Sequence, residues 1–235
     1  MWPLTPAEIE ALRLSVKVAG WSLLLSLPFA LLVAFALARY EFWGKAAFNS
    51  LLHLPLVLPP VVTGYLLLLG LGRRGLIGGW LEDTFGLVLA FRWTGAVVAA
   101  AVVAFPLIVR PIRLSLEAID RRLESAAETL GANRLWTYLT ITLPLSLPGI
   151  VVGAVLGFVR SLGEFGATIT FVANIPGETE TLSLAIYSAL QVPGGEQGAI
   201  RLTVIAVLTA LLALVASEVL GRYVARKTQG HHAPG

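Results

Sequence analysis

The sequence contains no cysteine, which removes disulfides, thiolate nucleophiles and cysteine-based metal sites at once. Histidine is nearly as scarce. His53, His231 and His232 are the full set, and the last two share the polar C-terminal tail, so no histidine metal cage is expected. Charge is thin: Asp, Glu, Lys and Arg make up 13% of the 235 residues, against roughly a quarter in a soluble domain. A phosphate-cradling loop, G-x-x-x-x-G-K-[ST], is also missing. The only Gly-Lys pair, Gly44-Lys45, has Arg39 where the first glycine belongs and Ala46 after the lysine. The chain is therefore not expected to hydrolyse ATP or to bind a cofactor itself. No G-x-S-x-G stands within an apolar run. That leaves an intramembrane hydrolase only Glu164 and Glu218 as deep carboxylates, toward opposite faces. A solitary proton-coupled transporter would need inverted repeats and a midplane acid, and neither is seen.

What is abundant is apolar sequence, 57% of the chain, gathered in long runs. A membrane β-barrel alternates apolar and polar residues over short segments, so these runs predict helices. A crossing needs about 20 apolar residues. Five runs qualify, near 16–38, 51–71, 94–109, 147–162 and 202–220. The third and fourth are short, which predicts tilt or burial inside a bundle. The expected fold is an all-α integral membrane bundle of about five spans. Glu8 and Glu10 precede the first cation, so a cleaved signal peptide is not expected.

The net charge of +3 is not read as nucleic-acid binding, because in such a chain the placement of cations matters. Ten of the 17 Lys and Arg fall in the links after the first, third and fifth runs. By the positive-inside rule those links are cytoplasmic. Residues 1–11 then lie outside and the tail 223–235 lies inside. Arg73 and Arg74 argue weakly the other way. Residues 163–200 are too polar and interrupted to cross. They are expected to form an outer loop that dips back against the bundle, with a short helix near 181–190.

Residues 121–149, "RRLESAAETLGANRLWTYLTITLPLSLPG", interrupt the apolar pattern on the cytoplasmic side. Leu123, Ala126, Ala127 and Leu130 share one helical face. Gly131 suits the position after a helix, and Asn133 suits the cap of the next. The pattern predicts two short helices around Gly131. The second covers 134–140 and is stopped by Pro144, with Pro148 in the first turn of the following span. On periodicity alone this is equally an amphipathic hairpin lying on lipid.

The spacing Ala126-Ala127-x-x-x-Gly131, nine residues, Ile141-x-Leu143-Pro144 resembles the "EAA" loop of binding-protein-dependent ABC importer permeases of type I. The resemblance implies that this loop docks on a cytoplasmic ATPase. The family's glutamate falls on Ser125, and the neighbouring Glu124 is expected to take its role. Residues 53–78 and 160–182 resemble the molybdate permeases, which have close sulfate and tungstate relatives. The likeness runs from about residue 12 to 222 and implies a bacterial inner-membrane protein. It further implies a homodimer served by two ABC ATPase subunits, which bind ATP and Mg, and by an extracytoplasmic oxyanion-binding protein.

Pro55, Pro59 and Pro60 each lack a backbone donor, and with Gly64 they predict a kinked or unwound second span. Arg160 and Glu164 are four apart at the outer end of the fourth span. They read either as an internal salt bridge holding a gate or as a contact to the anion. Gly163, Gly166, Thr168 and Thr170 beside them offer close approach and hydroxyl donors. Glu218 is expected to pair with Arg222. Outer acids, among them Glu82, Asp83, Glu178, Glu180 and Glu196, would repel a bare anion, which favours delivery by a carrier protein.

Overall fold

A computed structural model describes residues 4–229, and all regular structure within them is helical. Helix α1 runs Pro6–Arg39. Thr5 and Glu8 close a reciprocal capping box, with Pro6 at the first position, so the helix begins ten residues before the apolar run. Its buried face reads Glu8, Ala11, Ser15, Val18, Ser22, Ser26, Ala30, Ala34 and Leu37, a stripe of mostly small residues three or four apart. The opposite face exposes Trp21, Leu24, Phe29 and Leu32, as lipid contact requires.

The second run is not one helix. Helix α2 (Lys45–Val57) and helix α3 (Pro60–Leu71) meet at a 113° bend. Leu58 and Pro59 each precede a proline, which pushes both into the extended region, at ψ 143° and 132°. The unwinding expected from the prolines is therefore complete at residues 58–59, while Pro55 is absorbed inside α2. Helix α4 (Leu76–Phe85) occupies a link that the sequence left unassigned.

Helix α5 (Trp93–Glu117) is the central element, flanked by α1 and by helix α8 (Leu143–Leu162). Both were expected to be short. Pro106 and Pro111 sit inside α5, and the helix passes Arg110 and Arg113 before it ends. The apolar run stops at these cations, but the helix does not. On α8, Ser146, Gly149, Gly153, Gly157 and Ser161 form the buried stripe. A Cβ on Gly153 would stand 2.7 Å from the Ile108 carbonyl oxygen, so α5 and α8 touch through backbone. Ser22 and Ser161 hydroxyls pair at 3.0 Å between α1 and α8. A hydrogen bond of this kind inside a bilayer contributes about 0.6 kcal/mol.

Between α5 and α8 lie helix α6 (Arg121–Thr129), helix α7 (Arg134–Thr137) and a π turn over Tyr138–Thr142. Pro144 does not stop the second helix as expected. The Leu143 N–H reaches five residues back to the Tyr138 carbonyl, and the helical path continues into α8 with Pro144 in its first turn. The wider turn redistributes the bonds that proline would break. Pro148 lies within α8 rather than opening it. After α8 come helix α9 (Gly166–Val172), helix α10 (Leu182–Gln191) and helix α11 (Glu196–Gln229). The expected short helix near 181–190 is α10. The side chains of Glu218 and Arg222 fall outside what is described, as do His231 and His232.

The bundle has two ends of different chemistry. One gathers Arg39, Arg113 and Arg121, the α2 start and the α6–α7 hairpin. The other holds the α1 N-terminus, Lys17 stacked on Trp93 at 3.6 Å, and Arg201 of α11.

Candidate functional site

The α6–α7 hairpin forms at the arginine-rich end. Asp120 caps α6 through the Arg122 N–H, and Asn133 caps α7 through the Trp136 N–H. Gly131 stands at φ +90°, with its N–H on the Glu128 carbonyl and that of Ala132 on the Ala127 carbonyl. This is the glycine-terminated stop expected there, and a side chain would strain it. The predicted apolar face exists and is largely open among the described residues: Ala126 is exposed, Ala127 half-buried, Leu123 48% exposed and Leu130 88%. Leu135 and Trp136 extend the surface. This exposed apolar corner is rimmed by the exposed Arg122, Glu128 and Arg134.

Glu124 and Ser125 differ in their company. The Ser125 hydroxyl turns back to the Arg121 carbonyl at 3.2 Å and stays exposed. The Glu124 carboxylate faces the bundle. Its Oε1 accepts from Arg39 Nη2 at 2.7 Å and from the Thr142 hydroxyl at 2.7 Å. A cavity of about 650 Å³ lies beside this contact, lined by Arg39, Arg121, Glu124, Thr137, Tyr138 and others. Ile141, Leu143 and Pro144 belong to the π turn and the start of α8, on the route from the hairpin into the bundle. Arg39 and Thr142 were not singled out in the sequence. The first reads there as one more cytoplasmic cation, and the second as an ordinary polar residue.

The candidate pathway residues meet at a second place, where α3 packs on α9. A Cβ on Gly64 would stand 2.6 Å from the Ala167 carbonyl oxygen and 2.9 Å from Thr170 Cβ. Gly166 lies as closely against Pro60. The break at Pro59-Pro60 thus sets α3 directly on the segment carrying Thr168 and Thr170. Thr168 is buried, and the Thr170 hydroxyl donates to the Gly166 carbonyl at 2.9 Å. Thr63 on α3 is buried, with no partner for its hydroxyl among the described residues, and nothing in its apolar surroundings marked it in the sequence.

Arg160 and Glu164 are in contact, Nη1 to Oε2 at 2.6 Å. The N–H is poorly aimed at that oxygen, so the attraction is mainly Coulombic. The other oxygen, Oε1, accepts the Ala167 N–H at 2.9 Å in the first turn of α9. Glu164 is 3% exposed and Arg160 28%. The carboxylate is therefore engaged on both sides, by the guanidinium and by the start of α9, which fits the salt-bridge reading of the pair.

Residues 26–230 match the family described as "Binding-protein-dependent transport system inner membrane component". The chain belongs to that family. Among relatives of this inner membrane component, the "Molybdenum transport system permease protein ModB" of Escherichia coli K12 is 59% identical over 219 residues, covering 93% of this chain and 96% of the relative. The protein of the same name in Haemophilus influenzae is 57% identical, covering 94% and 96%. The "Sulfate transport system permease protein CysT" of Escherichia coli K12 is 37% identical, covering 79% and 67%. Among solved structures, a bacterial ABC transporter involved in alginate import superposes with a TM-score of 0.70 at 20% identity, covering 95% of this chain and 80% of that one. The MetNI methionine ABC transporter superposes at 0.67 with 17% identity, covering 93% and 94%. At those identities the likeness is one of fold. It makes this inner membrane component an all-α bundle of the ABC importer type.

Proposed function

We propose that the chain is the membrane-spanning subunit of an ATP-driven importer that moves an oxyanion, molybdate, across the bacterial inner membrane. The observation that carries the reading is the α6–α7 hairpin. Its apolar corner is exposed at the arginine-rich end of a bundle that has no phosphate loop of its own. A separate cytoplasmic ABC ATPase, holding ATP and Mg, is the partner such a corner needs. The choice of molybdate over sulfate or tungstate rests on the names of the more similar relatives, with the sulfate permease further away.

The assembly is a homodimer with two ATPase subunits and an extracytoplasmic oxyanion-binding protein. Within one chain, α8 touches α5 through backbone at Gly153, and α1 packs on α5 through a core of Leu37, Ile108 and Ile112. Two copies facing one another provide the passage. The arginine-rich end is cytoplasmic, and the Glu8–Arg201 end is outside.

Binding of ATP draws the two ATPases together and moves the hairpins, and hydrolysis releases them. This reverses access only if ATP binds the two bundle states with different affinity. The Arg160–Glu164 pair and the α3–α9 corner, which buries Thr63, hold the outer side of the path. The test is recovery of the tagged chain from membranes with its bound proteins. An ATPase that co-purifies and is stimulated by a molybdate-loaded binding protein supports the assignment. A chain that transports while no ATPase binds it sinks the assignment.

A further inference from the structure

We infer that Glu124 is the joint by which the hairpin moves α1, and that α1 carries this movement to α10 and α11 at the far end. The inference rests on the importer reading and assigns Glu124 a task other than touching the ATPase. Helix α6 packs beside α7 and the π turn of its own hairpin. Beyond the hairpin, the polar links of α6 among the described residues all run to the last residues of α1. Arg39 Nη2 donates to Glu124 Oε1 at 2.7 Å, and Arg121 Nη2 donates to the Ala38 carbonyl at 3.5 Å. The same Glu124 oxygen accepts the Thr142 hydroxyl at 2.7 Å. One carboxylate oxygen thus holds α6 to α1 and to the turn that starts α8.

The pair is sheltered, with the Arg39 side chain 8% exposed and that of Glu124 22%. Screening by salt is weak at such burial. Among the described residues, Glu124 is the side chain that accepts from the Arg39 guanidinium. Helix α1 then spans the protein. Its 34 residues extend about 50 Å at 1.5 Å per residue. Along the way Ser22 pairs with Ser161 of α8 at 3.0 Å. Near its start, the Ser15 hydroxyl accepts the Leu182 N–H of α10 at 2.6 Å. At its first turn, Glu8 Oε1 receives Arg201 of α11, with Nη2 at 2.9 Å and Nε at 3.0 Å. Between Ser22 and Ala34 the fully buried positions of α1 are small, Ser26 and Ala30, while nearer Arg39 the buried Leu37 keys the helix into the core. A helix shift of about 1–2 Å lies within the range of switching transitions. Glu124 and Arg39 are positioning residues: they act by linking elements, not by touching cargo or nucleotide.

The experiment uses the complex of this chain with its ATPase in proteoliposomes. Glu124→Gln keeps size and an acceptor for Thr142 but removes the charge. Arg39→Gln removes the other half, and Arg39→Lys keeps the charge at shorter reach. Lys45→Gln is the control, since it breaks the exposed Glu41–Lys45 pair at the same end. Expected are intact assembly and basal ATP hydrolysis within about two-fold of wild type. Stimulation by molybdate-loaded binding protein, and molybdate uptake, fall about ten-fold in both Gln variants, within the roughly 5–150-fold range of coupling between sites. Arg39→Lys lies between, and Lys45→Gln matches wild type. Amide exchange of residues 173–201 changes on ATP binding in wild type and no longer does so in Glu124→Gln. A merely structural pair would not produce that last result. The inference is overturned if basal and stimulated hydrolysis fall together, or if stimulation is unchanged. It is also overturned if Lys45→Gln behaves like Glu124→Gln, or if Glu124→Gln folds but no longer holds the ATPase. Failure of the importer reading is a different result: the wild-type chain would bind no ATPase at all.

Discussion

Replacing Gly64 by alanine tests whether the α3–α9 contact organises the broken span. The added Cβ would sit 2.6 Å from the Ala167 carbonyl oxygen, 2.8 Å from its Cα and 2.9 Å from Thr170 Cβ. Relaxed contact needs about 3.5–4.0 Å, and the nearest atoms are backbone, so the two helices must part by about 1 Å. Overpacking of this kind costs about 1–3 kcal/mol. Gly70, in the same helix, has nothing within 4 Å of its would-be Cβ. There alanine adds helix propensity, up to about 1 kcal/mol. The two variants should therefore differ by about 1–4 kcal/mol, with Gly64→Ala the less stable. Unfolding of both proteins in one detergent, by heat and by denaturant, measures the gap, and uptake should fall for Gly64→Ala alone. Equal stability and equal uptake would refute the idea that close approach at Gly64 sets the position of α3.

Three further outcomes are expected. Arg160→Gln leaves Glu164 buried with only the Ala167 N–H, costing about 1–3 kcal/mol. The double change with Glu164→Gln should recover part of it in thermal unfolding, and no recovery would mean that the charge pair is not the cause. Leu130→Glu places a charge on the apolar corner and should cut ATPase retention at least about ten-fold, as loss of a buried anchor does, while the bundle stays folded. Unchanged retention would remove the corner from the docking surface. Ala173 ends α9 at φ 61° and ψ −175°, a region suited to glycine. Ala173→Gly should therefore stabilise by about 0.5–2 kcal/mol in the same unfolding assay, and a loss of stability would contradict the strain.

Where the chain carries a local signal, its structure was legible. Pro59-Pro60 marked the break, Gly131 the stop of α6, and Asn133 the cap of α7, because each acts on its own backbone. Helix ends were less legible. Apolar runs do not mark helix ends, so α5 and α8 looked short, although α5 runs on to Glu117 and α8 begins at Leu143. Pro144 looked like a stop because an ordinary helical turn cannot absorb it, whereas the π turn before it can. Contacts between distant residues left the weakest trace. Arg39 and Glu124 are 85 residues apart, and nothing in either neighbourhood names the other. The sequence pointed to Glu124 as the residue expected to take the loop glutamate's role, but carried no trace of its inward contact with Arg39.

The central claim is that this chain, with an ATPase, moves molybdate inward. Its most direct test is uptake of labelled molybdate into proteoliposomes holding the purified complex, with the binding protein outside and ATP inside. The account predicts uptake that requires ATP, the ATPase and this chain together, and that excess unlabelled molybdate suppresses more strongly than excess sulfate. Uptake that proceeds without ATP, or that carries sulfate while molybdate is left outside, would contradict it.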